Sequence, residues 1–239
     1  TNVTKATYDA HNNLLSWTDA RGNTTAYQYD AHDNLVRQTD AAGDVTSWTY
    51  DSAGEPLSMI DPRNQTTTYV YDGNGDRTTT TDPLGKATTA TYDVMGRKLS
   101  ETDPLAFTTH YAYDAANRLL KVTDALNGMT SYAYDPVGNR ISVTDANTHT
   151  ASYTYDAKDR LATVTDATGK KTSYGYDANN NQTSVTDPLN RTTQYGYDAL
   201  NRRTSVTDPL NKTTSYQYDA NGNRISVTDA DNDVTSYTF

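Results

Sequence analysis

The dipeptide Tyr-Asp occurs eleven times in this chain, each copy 21 residues after the last. Its tyrosines are Tyr8, Tyr29, Tyr50, Tyr71, Tyr92, Tyr113, Tyr134, Tyr155, Tyr176, Tyr197 and Tyr218, and Phe239 fills the next slot. A second aspartate follows the first by ten residues throughout, from Asp19, Asp40 and Asp61 to Asp208 and Asp229. No insertion or deletion breaks the beat. A strict period of this size means a repeat architecture, in which no unit buries its apolar side alone and stacked neighbours share one interior. The expected organisation is a single array over residues 1–239, about eleven repeats long. It starts in mid-repeat at Thr1 and stops on a strand residue, as a piece of a longer array would.

The unit from Asp135 to Tyr155 contains two strand patterns and two turns. Side chains alternate along a strand, so the segment 150–155 places Tyr153 and Tyr155 on one face. By the same alternation the segment 140–144 places Ile141 and Val143 together. The first tyrosine slot recurs as Tyr27, Trp48, Tyr69, Tyr111, Tyr132, Tyr174, Tyr195, Tyr216 and Tyr237, with Ala6 and Ala90 as departures. Strand propensity is high, in Thr, Val and Tyr.

The Tyr-Asp turn is led by Asp9, Asp30, Asp51, Asp72, Asp93, Asp114, Asp135, Asp156, Asp177, Asp198 and Asp219. Its fourth residue is always Gly, Asn or Asp, among them Gly96, Gly138 and Gly222, the types that tolerate a left-handed backbone. The leading aspartate suits an Asx turn. In the second turn Pro62, Pro83, Pro104, Pro188 and Pro209 follow the aspartate, which suits position i+1 of a type I or II turn. Such short connections favour an all-β meander of 21-residue antiparallel hairpins. A parallel solenoid shares the same parity and stays open at this point.

The net charge of −10 is mostly turn chemistry, because 22 of the 28 aspartates belong to the two periodic columns. Nucleic-acid binding needs clustered Lys and Arg, which this evenly acidic chain lacks. There is no cysteine, hence no disulfide or thiolate metal site. No apolar run is long enough for membrane insertion, and no segment has the pattern of a signal peptide.

The aspartate columns invite a calcium reading, but calcium takes about 6 to 8 oxygens from a dense cluster. Here the two columns sit at opposite strand ends, about 20 Å apart when extended. Paired carboxylates for glycoside hydrolysis need one singular site, and a repeat offers eleven equivalent ones. His11 and His32 share one turn position, His110 and His149 are scattered, and no Ser-His pairing suggests a triad. The tyrosine rows suit sugar stacking or, better, core ladders, with Tyr134 and Tyr155 as representative core positions. No catalytic residue, cofactor or metal site is expected.

Tyr-Asp-x-x-Gly-Asn-Arg, intact at Tyr134–Arg140 and Tyr218–Arg224, resembles the YD repeat of the Rhs family. So does Thr-Asp-Pro-Leu-Gly/Asn at Thr81–Gly85 and Thr186–Asn190. The resemblance covers the whole chain. It implies a spiral, curved β-sheet that winds into a hollow shell, as in bacterial polymorphic toxins, toxin-complex shells and teneurins. It further implies a non-enzymatic shell segment, secreted or at the cell surface, enclosing a C-terminal toxin or effector cargo. The partners would be the rest of the polypeptide, namely a shell-closing segment and that cargo. An extracellular adhesion array binding cell-surface glycans or proteins is the alternative. The family's shell-closing segment, with its self-cleaving aspartyl protease, has no counterpart in these residues.

Overall fold

The computed structural model describes residues 4–239, which contain twenty-three β-strands and no helix. They fall into two compact units that divide after Asn127. The first unit runs through twelve strands from Lys5–Tyr8 to Leu119–Thr123, the second through eleven from Met129–Tyr134 to Val234–Ser236.

Interior strands alternate in length. A six-residue strand, such as Thr150–Tyr155, ends on the tyrosine of Tyr-Asp. A five-residue strand, such as Arg140–Thr144, ends just before the second aspartate. Within each unit consecutive strands pair antiparallel in chain order, which resolves the choice left open above in favour of the meander. Strands of a unit touch only their chain neighbours, so each unit is one layer of sheet.

Every Tyr-Asp hairpin carries a β-bulge. Tyr134 faces Arg140 and Ala133 faces Ser142, which leaves Ile141 as an extra residue on its strand. Strict alternation therefore fails at this point. Arg140 joins Val143 on the tyrosine face, opposite Tyr134 and Tyr132, where alternation from Ile141 and Val143 had put it on the other side. The same shift recurs at Tyr29 and Leu35, Tyr155 and Leu161, and Tyr218 and Arg224.

The tyrosines expected in a core are at most half-buried, Tyr8 and Tyr237 are exposed, and no described residue is buried. The physical reason is the single layer: a sheet with nothing packed on it can cover a side chain only with its in-plane neighbours. In Thr150–Tyr155 the tyrosine side is still the better covered, with Tyr153 and Tyr155 half-buried while Ser152 and Thr154 are exposed. The opposite face is fastened by hydroxyl pairs across strands. Thr154 and Thr163 lie 2.7 Å apart, and Thr18 and Thr24 lie 2.8 Å apart.

Candidate functional site

Both turns of the repeat have one design. The amide of Asp9 donates to the Asn13 carbonyl at 3.0 Å, and the amide of Asn12 donates to the Asp9 carbonyl at 3.2 Å. This is a three-residue hairpin loop whose last member is left-handed. That member has positive φ in every Tyr-Asp turn, with Gly96 at 74°, Gly138 at 106°, Gly222 at 89° and Asn180 at 71°. In all eleven, one oxygen of the leading carboxylate (Asp9, Asp30, Asp51, Asp72, Asp93, Asp114, Asp135, Asp156, Asp177, Asp198, Asp219) accepts backbone N–H groups two and four residues on.

The second-column turns repeat this geometry with less suitable residues. Their left-handed position is held by Gly22, Gly43, Gly85 and Gly169 and by five asparagines, but also by Ala106 at 66° and Thr148 at 65°. A Cβ beside a left-handed backbone is strained, and a branched one more so.

Where the fifth residue of the Tyr-Asp turn is Asn or Arg it can stitch one repeat to the next, as at Asn13, Arg97, Asn139, Arg160, Asn181 and Arg202, a role that its variable identity hid from sequence reasoning. Asn139 donates to Asp135 Oδ2 at 3.0 Å and, across the seam, to Asp159 Oδ1 at 2.9 Å. Asn181 does the same to Asp177 at 2.9 Å and to Asn201 at 2.8 Å. Where the residue is arginine, the stitch is larger. Arg160 Nε donates to Asp156 Oδ2 at 2.7 Å, and its Nη1 to the Asp177 carbonyl at 2.8 Å and Asn180 Oδ1 at 3.0 Å. Its guanidinium also lies 4.6 Å from the centre of the Tyr176 ring. Hydrogen bonding from Arg160 holds the Asp156 carboxyl down at about 2. Arg97 lowers Asp93 and Arg191 lowers Asp187 by the same means.

A second set of arginines follows from the bulge. Arg203 lies between the rings of Tyr195 and Tyr216, 5.9 and 5.7 Å from their centres, and Arg224 between Tyr216 and Tyr237 at 5.8 and 5.5 Å. Arg140 bridges Tyr132 and Tyr153 at 6.0 and 5.3 Å. Tyrosine hydroxyls close the seam on the other strand: Tyr155 donates to the Arg140 carbonyl at 3.0 Å and Tyr218 to the Arg203 carbonyl at 2.9 Å.

His11 Nδ1 lies 2.9 Å from Asp33 Oδ1, and that hydrogen bond raises the imidazole above its ordinary range. His149 Nδ1 lies 3.2 Å from Asp145 Oδ2. Among the described residues no three His, Cys, Asp or Glu side chains gather as a metal-holding group. The stitches and tyrosine hydroxyl bonds join neighbouring repeats, while the turn aspartates close each hairpin on itself.

Such a chain is a β-repeat array. A family model, the RHS repeat, matches it in ten overlapping windows: 8–45, 29–66, 50–87, 71–108, 99–129, 113–150, 134–171, 155–189, 176–213 and 203–234. The chain belongs to the RHS repeat family. No curated protein matches the sequence. Among solved structures, TcdB2-TccC3 without its hypervariable C-terminal region matches over 95% of this chain, with a TM-score of 0.57 and 18% identity. TcdB2-TccC3-TEV matches over 98%, with a TM-score of 0.52 and 17% identity. The chain spans 15% and 16% of those two chains, and at such identity the likeness is one of fold.

Proposed function

We propose that this chain is a wall segment: a non-enzymatic, shell-forming part of an RHS-repeat protein that encloses a C-terminal toxin or effector and works outside the cell. One observation carries the reading. Neighbouring repeats within a unit are fastened by recurring seams of aspartate, Asn or Arg, and tyrosine, as at Asn139, Arg160 and Tyr218, a design suited to extending a surface rather than shaping one pocket. The likeness of fold to the TcdB2-TccC3 structures supports it. Wall material needs an uninterrupted hydrogen-bonded sheet with stiff hairpin ends, and both turn columns supply such ends.

Limited proteolysis of the protein's full reading frame tests the proposal. A cargo segment should resist protease while the array is folded and become cleavable when the array is opened by Gly222→Val. Cleavage at the same rate in both proteins would sink the enclosure reading. Saturable glycan binding without any protected segment would favour the adhesion array instead.

A further inference from the structure

The strands of the second unit contain no aspartate and no glutamate, and their charged side chains are Arg140, Lys171, Arg203 and Arg224. Lys171 pairs with Thr165 on the hydroxyl face. The three arginines stand on the tyrosine face, opposite Tyr134, Tyr197 and Tyr218, and all three are exposed. Arg203 and Arg224 hold the same position in successive repeats, two strands apart, so about 10 Å separates them along the sheet. The ring of Tyr216 fills the interval, its centre 5.7 Å from Arg203 Cζ and 5.8 Å from Arg224 Cζ. Arg140 has no such companion, because the next two residues of the row are Leu161 and Gln182.

A guanidinium flanked by rings has its faces covered, while its N–H donors lie in the plane and stay available. Among the described residues neither Arg203 nor Arg224 forms an ion pair, and the carboxylates beside them are already engaged. Asp198 accepts the amides of Leu200 and Arg202 and the Arg202 Nε, and Asp219 accepts the amides of Asn221 and Asn223 and the Asn223 side chain. Two exposed positive charges with unused donors, on a face that carries no carboxylate, are complementary to a ligand that brings two carboxylates. The rings decide against other polyanions. Tyr216 has a guanidinium on either side, so its faces are closed to the base stacking by which single-stranded nucleic acid binds, and to a sugar ring for the same reason. A peptide needs no stacking. In the polyproline II form common in unfolded segments, side chains three residues apart share one side of the chain, about 9 Å from each other. We propose that Arg203 and Arg224 form a two-point carboxylate site for an extended acidic peptide whose Asp or Glu side chains stand three residues apart. Each guanidinium takes one carboxylate through paired N–H donors.

NMR of the arginine Nε–H groups tests this, with the isotope-labelled chain titrated by a short synthetic peptide bearing two glutamates three residues apart. At about 0.15 M salt the chain's net negative charge is screened beyond about 8 Å, so the local pair decides. The Arg203 and Arg224 signals should shift saturably, with a Kd of about 1 mM or tighter. Arg203→Gln and Arg224→Gln should each weaken binding by about fivefold, and Arg140→Gln should leave it unchanged. Backbone spectra of the variants report whether the sheet is intact, and the side-chain shifts of the unaltered chain stand without them. A peptide with glutamines in place of the glutamates should not bind, and salt at about 1 M should weaken the acidic peptide severely. No saturable shift by about 10 mM peptide overturns the proposal. So do equal shifts with the glutamine peptide, an equal loss in Arg140→Gln, or tighter binding of oligothymidylate or polygalacturonate. The same shifts produced by concentrating the chain alone would assign the pair to a second copy and likewise overturn it.

Discussion

The hydroxyl of Tyr176 donates to the Leu161 carbonyl oxygen at 3.1 Å, across fifteen residues of sequence. The bond links the end of one strand to the start of the strand before it, and Arg160 stacks on the same ring. Tyr176→Phe keeps the ring and loses the bond, so it should cost about 1 kcal/mol. Tyr176→Ala removes a half-buried ring as well and should cost about 2–3 kcal/mol, below the range for fully buried aromatics. Tyr8, 55% exposed on a four-residue strand, should cost less than Tyr176 when changed to Ala. Urea melts of the three variants check the order, and equal losses at Tyr8 and Tyr176 would count against a nearest-neighbour array.

Thr148 holds a left-handed backbone on a branched side chain. Thr148→Gly should therefore stabilise the chain by about 1 kcal/mol, and Ala106→Gly by somewhat less, since relief of left-handed strain is worth about 1–2 kcal/mol before the entropy of the added glycine is subtracted. Gly138→Val does the reverse at φ 106° and should lower the melting temperature. Thermal melts decide. A neutral Gly138→Val would mean that this turn does not require its glycine.

Acid should loosen the seams. Hydrogen bonding from Arg160 depresses Asp156 from 3.8 to about 2. A carboxyl with a lower pKa in the folded chain contributes stability that is complete above its unfolded value and disappears as pH falls through its folded value. Stability should therefore decline between about pH 4 and pH 2, with Asp93 and Asp187 moving in the same direction. Arg160→Met should shift the onset of acid unfolding to higher pH. Far-UV circular dichroism against pH measures it, and identical acid profiles for the two proteins would remove Arg160 as the cause.

Calcium should leave the melting temperature unchanged. In Asp135 one carboxylate oxygen accepts three backbone N–H groups and the other accepts the Asn139 amide, so a cation would have to dismantle the turn to gain its ligands. A rise of several degrees in millimolar calcium, reversed by chelator, would make the aspartates ligands.

The Tyr-Asp turns were legible in the sequence because their constraint is local: only Gly, Asn and Asp comfortably hold the left-handed fourth position, and all eleven copies use one. The antiparallel meander followed from turn length. Ala106 and Thr148 were not legible, since neither residue type announces positive φ, and the prolines and glycines of sister turns were the only hint. The register step past Ile141 was not legible because a bulge inserts one residue without any signature of its own. The seam was missed for a different reason. Asn139 and Arg160 occupy one position with different side chains, and what unites them is a donor reaching both its own aspartate and the next turn.

Strands in each unit that contact only their neighbours give the chain a currency of whole hairpins. Recombination between two in-phase repeats of the gene joins a strand to the strand that normally follows it in the period, and the product keeps the antiparallel register and both turns. Deleting or adding 21 residues thus changes the length of a unit without demanding any new packing, whereas a change of ten would strand a tyrosine row on the hydroxyl face and a turn aspartate beside the wrong loop. A protein made this way can be lengthened or shortened by evolution, or in the laboratory, one period at a time.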